Sequence, residues 1–217
     1  MSRPAAIWLL ALTLVPGETM LSAFVHAQTV GAAATIDIKR VSGEAVDPAR
    51  ERDDRAVLDT TSPGLTVFVS APASAHVSFA LEVGFEGDAT VTTRSEANLV
   101  RLQTRHSNRM RTVSALAVVH PATAGRVRVS VLGGLTFVQF ERTIVLDPAP
   151  TILGTTVLPT RSTFIDRMGA ATVGLDCDIL VSAHVAIVPA IRAHSFRLAS
   201  DLGGFSIRPS IGAKWIF

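Results

Sequence analysis

Apolar and polar residues alternate along most of this chain with a period of two. The clearest run is His76 to Glu86, where Val77, Phe79, Leu81, Val83 and Phe85 take one face and Ser78, Ala80, Glu82, Gly84 and Glu86 the other. Successive side chains of a strand point to opposite faces, so such a run predicts a strand with one apolar side. The same reading predicts eight strands: 32–40, 64–70, 76–86, 108–120, 126–143, 163–180, 184–198 and 205–217. Helical periodicity is hard to find. Pro, Gly, Ser and Asp punctuate the strands, as turns require.

The links alternate in length. Val41 to Pro63, Gly87 to Ser107 and Asp147 to Arg161 are long and polar, whereas Ala71 to Ala75, Pro121 to Gly125 and Val181 to Ala183 are short. Long connections at one end and tight turns at the other suit an up-and-down barrel in an outer membrane. Ser74-Ala75-His76-Val77 also recurs as Ser182-Ala183-His184-Val185, each time opening a strand after a short turn. Pro189 and Pro209 fall inside two strands, where each removes a ladder donor.

Composition sharpens the picture. The 217 residues are 48% hydrophobic and 18% charged, and a lipid-facing outer surface is one explanation of that apolar excess. Arg3 followed by the apolar run from Ala5 to Val15, with Val25 and Ala27 ahead of Gln28, predicts a cleaved signal peptide over 1–27 and a barrel domain over 28–217. The run is short of the roughly 20 residues of a transmembrane helix. Net charge is +2 with scattered arginines, which leaves no nucleic-acid footprint. The single Cys177 excludes an intramolecular disulfide.

A sheet in a bilayer must close on itself, with apolar residues outward and polar ones inward. In the last segment Phe205, Ile207, Ile211, Ala213, Trp215 and Phe217 alternate with Ser206, Arg208, Ser210, Gly212 and Lys214. An alternating final strand ending in an aromatic residue resembles the C-terminal signature of bacterial outer-membrane proteins. From about Thr29 to Phe217 the chain resembles the small eight-stranded outer-membrane β-barrels, the OmpA/OmpX-like group. The resemblance implies an all-β, antiparallel transmembrane barrel in the outer membrane, surrounded by lipids and lipopolysaccharide. It further implies a monomer without cofactor, assembled through recognition of Trp215 and Phe217 by the barrel-assembly machinery. The chain has no Tyr, so Phe68, Phe79, Phe85, Phe137, Phe140, Phe164, Phe205, Trp215 and Phe217 are left to form the aromatic girdles.

The inward positions carry both signs of charge: Asp37, Lys39, Glu82, Glu86, Arg128, Asp176, Asp178, Arg192, Arg208 and Lys214. An eight-stranded interior is just wide enough for side chains to fill, and ionised groups there must pair. A plugged barrel of structural or interaction type, contacting its surroundings through the outer loops, is therefore expected. A narrow pore for ions or very small solutes is one alternative. A soluble lipocalin-like barrel is another, with the faces inverted so that Glu82, Arg192 and Arg208 lie outside. Enzymatic chemistry is not expected. A lipid A deacylase needs His and Ser two apart on one strand face near the outer rim. His194 and Ser195 are adjacent, and His76 and Ser78 lie at the turn end. His76 and His120 lack a third metal ligand. The outer segments hold Arg94, Arg101, Arg105, Arg109 and Arg111, which suit lipopolysaccharide phosphates.

Overall fold

The computed structural model describes residues 28–42, 59–97, 100–147, 151–152, 155–156, 161–197 and 203–217. Its strands are β1 (Thr29–Ser42), β2 (Thr61–Pro72), β3 (Val77–Glu86), β4 (Ala89–Ala97), β5 (Val100–Ala124), β6 (Val127–Asp147), β7 (Thr151–Ile152), β8 (Thr155–Thr156), β9 (Arg161–Leu180), β10 (Val185–Arg197) and β11 (Gly203–Ile216). Every pairing is antiparallel. β1 pairs with both β2 and β11, which closes the sheet. β3 and β4 pair with successive halves of β5, so they form one stave with a break at Gly87 and Asp88. Eight staves result, a closed barrel in which the backbone groups of each stave find partners on both sides. β7 and β8 pair only with each other.

Burial follows the alternation. In β1, Ala33, Thr35, Asp37 and Lys39 are buried while Ala32, Ala34, Ile36 and Arg40 are exposed. The outer wall presents Leu65, Phe85, Val131, Leu135, Phe137, Val173, Leu175, Ile187, Ile191, Ile207 and Ile211. Glu82, Arg192 and Arg208 are buried within. A soluble barrel around an apolar ligand requires the reverse arrangement, so the lipocalin-like alternative is overturned. The girdle expectation also needs correction: Phe140 is buried in an interior apolar cluster, and Phe68 lines an interior cavity. Phe85, Phe137, Phe205, Trp215 and Phe217 do face outward.

Two connections differ from expectation. Residues 89–97 and 100–107, read as a polar loop, form a hairpin that extends the wall past the ends of β1 and β11. β-Branched residues such as Thr90, Val91, Thr92 and Thr93 favour that pleated geometry over coil. At the opposite end β5 runs on through Ala124, and only Gly125 and Arg126 make the turn, with Gly125 at φ 58°. Pro121 is accommodated by a register shift between Val119 and Ala122. Pro189 and Pro209 interrupt the ladder on one side only. Pairing between β10 and β9 skips Val188 and Pro189, and pairing between β1 and β11 skips the pairs at Ile36 and Asp37, opposite Pro209 and Arg208; both resume in register. The expected signal peptide, 1–27, lies outside the described residues.

The recurring Ser-Ala-His-Val segment builds one turn twice. Ser74 Oγ accepts the backbone N–H groups of His76 and Val77 at 3.3 and 3.1 Å, and Ser182 Oγ those of His184 and Val185 at 3.2 and 3.1 Å. The carbonyls of Val77 and Val185 each take two further N–H groups from the start of their own turn. These turns join β2 to β3 and β9 to β10, on opposite sides of the barrel. By analogy with a lost helix N-cap, Ser74→Ala and Ser182→Ala should each cost about 1 kcal/mol. The two costs should add, because the sites are far apart. Urea midpoints from the heat-sensitive gel mobility of the folded barrel measure both effects.

Candidate functional site: the charged lumen

The pleat sends the charged residues inward, and the closed sheet brings them together in tiers. Nearest the loop end, Lys39 of β1 pairs with Glu86 of β3, which also accepts the Ser62 hydroxyl. Lys39 Nζ lies 5.8 Å from the centroid of the Phe140 ring. Below it, Arg208 of β11 donates from Nε to Asp37 at 2.6 Å, and the Ser206 hydroxyl donates to the same carboxylate. Arg208 Nη1 also reaches Thr112 of β5 at 3.1 Å.

The next tier is the widest link. Arg192 of β10 donates to Glu82 of β3 from Nη2 at 2.6 Å and from Nε at 3.2 Å. Its Nη2 also reaches Asp176 of β9 at 3.2 Å. β10 and β3 are four staves apart in a barrel of eight, as are β11 and β5. The Arg192–Glu82 and Arg208–Thr112 contacts therefore cross the whole lumen. Toward the turn end Lys214 pairs with Asp178. The space among Glu82, Asp176, Arg192 and Arg208 is a cavity of about 20 Å³, enough for roughly one water.

Nine of the ten charged positions read from the sequence join these tiers. Arg128 does not. It holds an inward register position opposite Asp178 but is exposed at the turn-end mouth, and Asp178 pairs with Lys214 instead. A side chain so near the strand end reaches water, so it needs no buried partner.

Several participants escaped the sequence reading. Gly84 and Gly174 stand on the inward face where arginines pass. A Cβ at Gly84 would come within 2.6 Å of Arg208 Nη1, and one at Gly174 within 2.8 Å of Arg192 Cδ. An inward glycine in the strand beside or opposite an arginine is the legible signal. A chain of buried hydroxyls also runs around the wall. Thr136 donates to Ser114 Oγ at 2.7 Å and contacts Thr172, whose Oγ1 lies 2.8 Å from His194 Nδ1. His194 is buried and Ser195 exposed, on opposite faces as adjacency requires. Ser78 meets the Nε2 of His120 at 3.0 Å, and His120 Nδ1 meets Ser130 at 2.7 Å. Among the described residues no group of three metal-ligating side chains forms. The two C-terminal aromatic residues face outward; Trp215 stacks on His184 with ring centroids 5.9 Å apart, and Phe217 donates its N–H to the Gln28 carbonyl at 2.9 Å.

No protein-family model and no curated protein sequence matches the chain. Solved structures do. Neisserial surface protein A (NspA) matches with a TM-score of 0.56 at 11% identity, covering 87% of this chain and 96% of that one. A major outer membrane protein from Thermus thermophilus matches with a TM-score of 0.51 at 11% identity, covering 87% and 99%. The fold is thus that of an outer-membrane β-barrel, all-β and closed by eight antiparallel strands. More narrowly, it is the fold of the small eight-stranded outer-membrane barrels, of which NspA is one.

Breaking one partner of a buried pair leaves a stranded charge. Arg208→Met should therefore destabilise the folded barrel by about 3–5 kcal/mol, whereas Arg208→Met with Asp37→Leu should recover most of that loss. Denaturant titration followed by gel mobility compares the two.

Proposed function

We propose that this chain is a structural and interaction barrel of the outer membrane, with a lumen closed by its own charged side chains. The observation that carries the reading is the pair of contacts across the full width of the barrel, Arg192 to Glu82 and Arg208 to Thr112. An eight-stranded interior has room for side chains and little else. The ion pairs fill it, and the apolar groups Met110, Val138, Phe140, Ala170 and Phe196 pack beside Lys39. A side chain satisfied on both sides of the lumen leaves no continuous water path.

In this reading residues 1–27 direct export and are removed, and Trp215 with Phe217 presents the closing strand to the assembly machinery. The mature barrel is a monomer in contact with outer-membrane lipid and lipopolysaccharide, without cofactor or catalytic centre. Its contacts with the surroundings are made at the loop end, where the β4–β5 hairpin stands beyond the rim. Arg109 there holds Asp88 through two hydrogen bonds of 3.0 Å. These groups are exposed, so the pair orders the hairpin base more than it stabilises the fold.

Planar-bilayer recording tests the plug. The wild-type barrel is expected to show no discrete conductance, and Arg192→Ala with Glu82→Ala to show small steps of reproducible size. Reproducible steps from the wild type would replace this reading with the narrow ion channel.

A further inference from the structure

We propose that Arg111 of β5 and Arg167 of β9 form a clamp for a phosphate group of a glycolipid in the outer leaflet, with Gln139 of β6 between them. The inference rests on the outer-membrane reading above and gives its lipid contact a location. In register, Arg111 lies beside Gln139 and Gln139 beside Arg167, all on the outward face. The outer strands of this set are two spacings apart, about 9.5 Å, a gap that two long side chains can close over one phosphate. Both arginines are exposed, and among the described residues neither has a hydrogen-bond or ion-pair partner. Arg109, one outward position higher, is already held by Asp88 and faces Glu141 in register. It is not free to join.

The position of the clamp identifies the ligand. One outward position below it the wall turns apolar, with Val113, Phe137 and Gly169 in register, and then Ala115, Leu135 and Ala171. Leu135 is 75% exposed, and a Cβ on Gly169 would touch nothing within 4 Å. Phe137 and Leu135 thus stand out from a floor of small residues and leave shallow furrows beside them. Furrows suit acyl chains, and guanidinium groups directly above suit a phosphate through paired, charge-assisted hydrogen bonds. A ligand that needs both at once is amphipathic: a phosphorylated sugar carrying fatty acyl chains. A second pair, Arg105 and Arg161 flanking Val145, sits three outward positions higher. That is roughly 20 Å further along the strand, beyond the exposed Phe164 and Ile165 and well clear of the Phe137 and Leu135 rows.

The test uses the folded full-length mature barrel in detergent, with bisphosphorylated lipid A and its dephosphorylated form as probes, read by native mass spectrometry. The expected result is at least tenfold higher occupancy by the bisphosphorylated lipid. Arg111→Gln with Arg167→Gln should abolish that preference, and Arg105→Gln with Arg161→Gln should leave it. Heat-dependent gel mobility verifies that each variant is folded. Equal occupancy by both lipids, or retention within twofold of wild type by the Arg111/Arg167 variant, overturns the clamp. So does complete displacement by millimolar pyrophosphate, which would make the pair a site for free phosphate. A clamp that fails while the heat shift persists leaves the barrel reading standing, and the plug is judged separately by its conductance.

Discussion

Everything in this molecule depends on the seam between β1 and β11. Hydrocarbon offers backbone amides no water, so an unpaired strand edge inside a bilayer costs several kcal/mol for each stranded group. Joining the first strand to the last removes both edges. It also fixes the radius, and the radius fixes what the interior can hold. With eight staves the inward side chains meet across the middle, and the only stable use of Asp37, Glu82, Arg192 and Arg208 is to bind one another. The lumen chemistry is thus a consequence of strand number before it is a matter of residue choice.

The interior and exterior solve opposite problems on the two faces of the same strands. Outside, Leu135, Val173 and Ile211 need no partner, because their surroundings are as apolar as they are. Inside, each ion needs a specific counterpart and enough space to reach it. Gly84 and Gly174 supply that space, so two residues without side chains govern where two of the largest ones lie. Pro189 and Pro209 tolerate their positions because each lies in a strand whose other neighbour continues the ladder.

Much of this was legible in the residues alone. Alternation in 76–86 and 205–217 separated the two faces correctly, and the unequal links indicated which end carries the loops. The repeated Ser-Ala-His-Val segment pointed to equivalent turns, and both serines accept the same two amides. What stayed hidden depends on three dimensions. No spacing in the sequence shows that Arg192 meets Glu82, 110 positions away, rather than a nearer carboxylate. Phe68 and Phe140 share the chemistry of a girdle residue, and only strand parity with the curvature of the wall places them inside. The 89–107 segment misled because its polar, β-branched composition suits a solvated hairpin as well as a loop.

The stacking of Trp215 on His184 has an optical consequence. The chain has no Tyr, and from Gln28 to Phe217 Trp215 is the sole tryptophan. Ultraviolet emission from that portion therefore reports a single indole, one residue from the end of the closing strand and seated against an imidazole. Separation of β10 from β11, the two staves that the stack bridges, would alter the same signal. The protein carries its own spectroscopic probe on β11, the strand that closes the seam, at its border with β10.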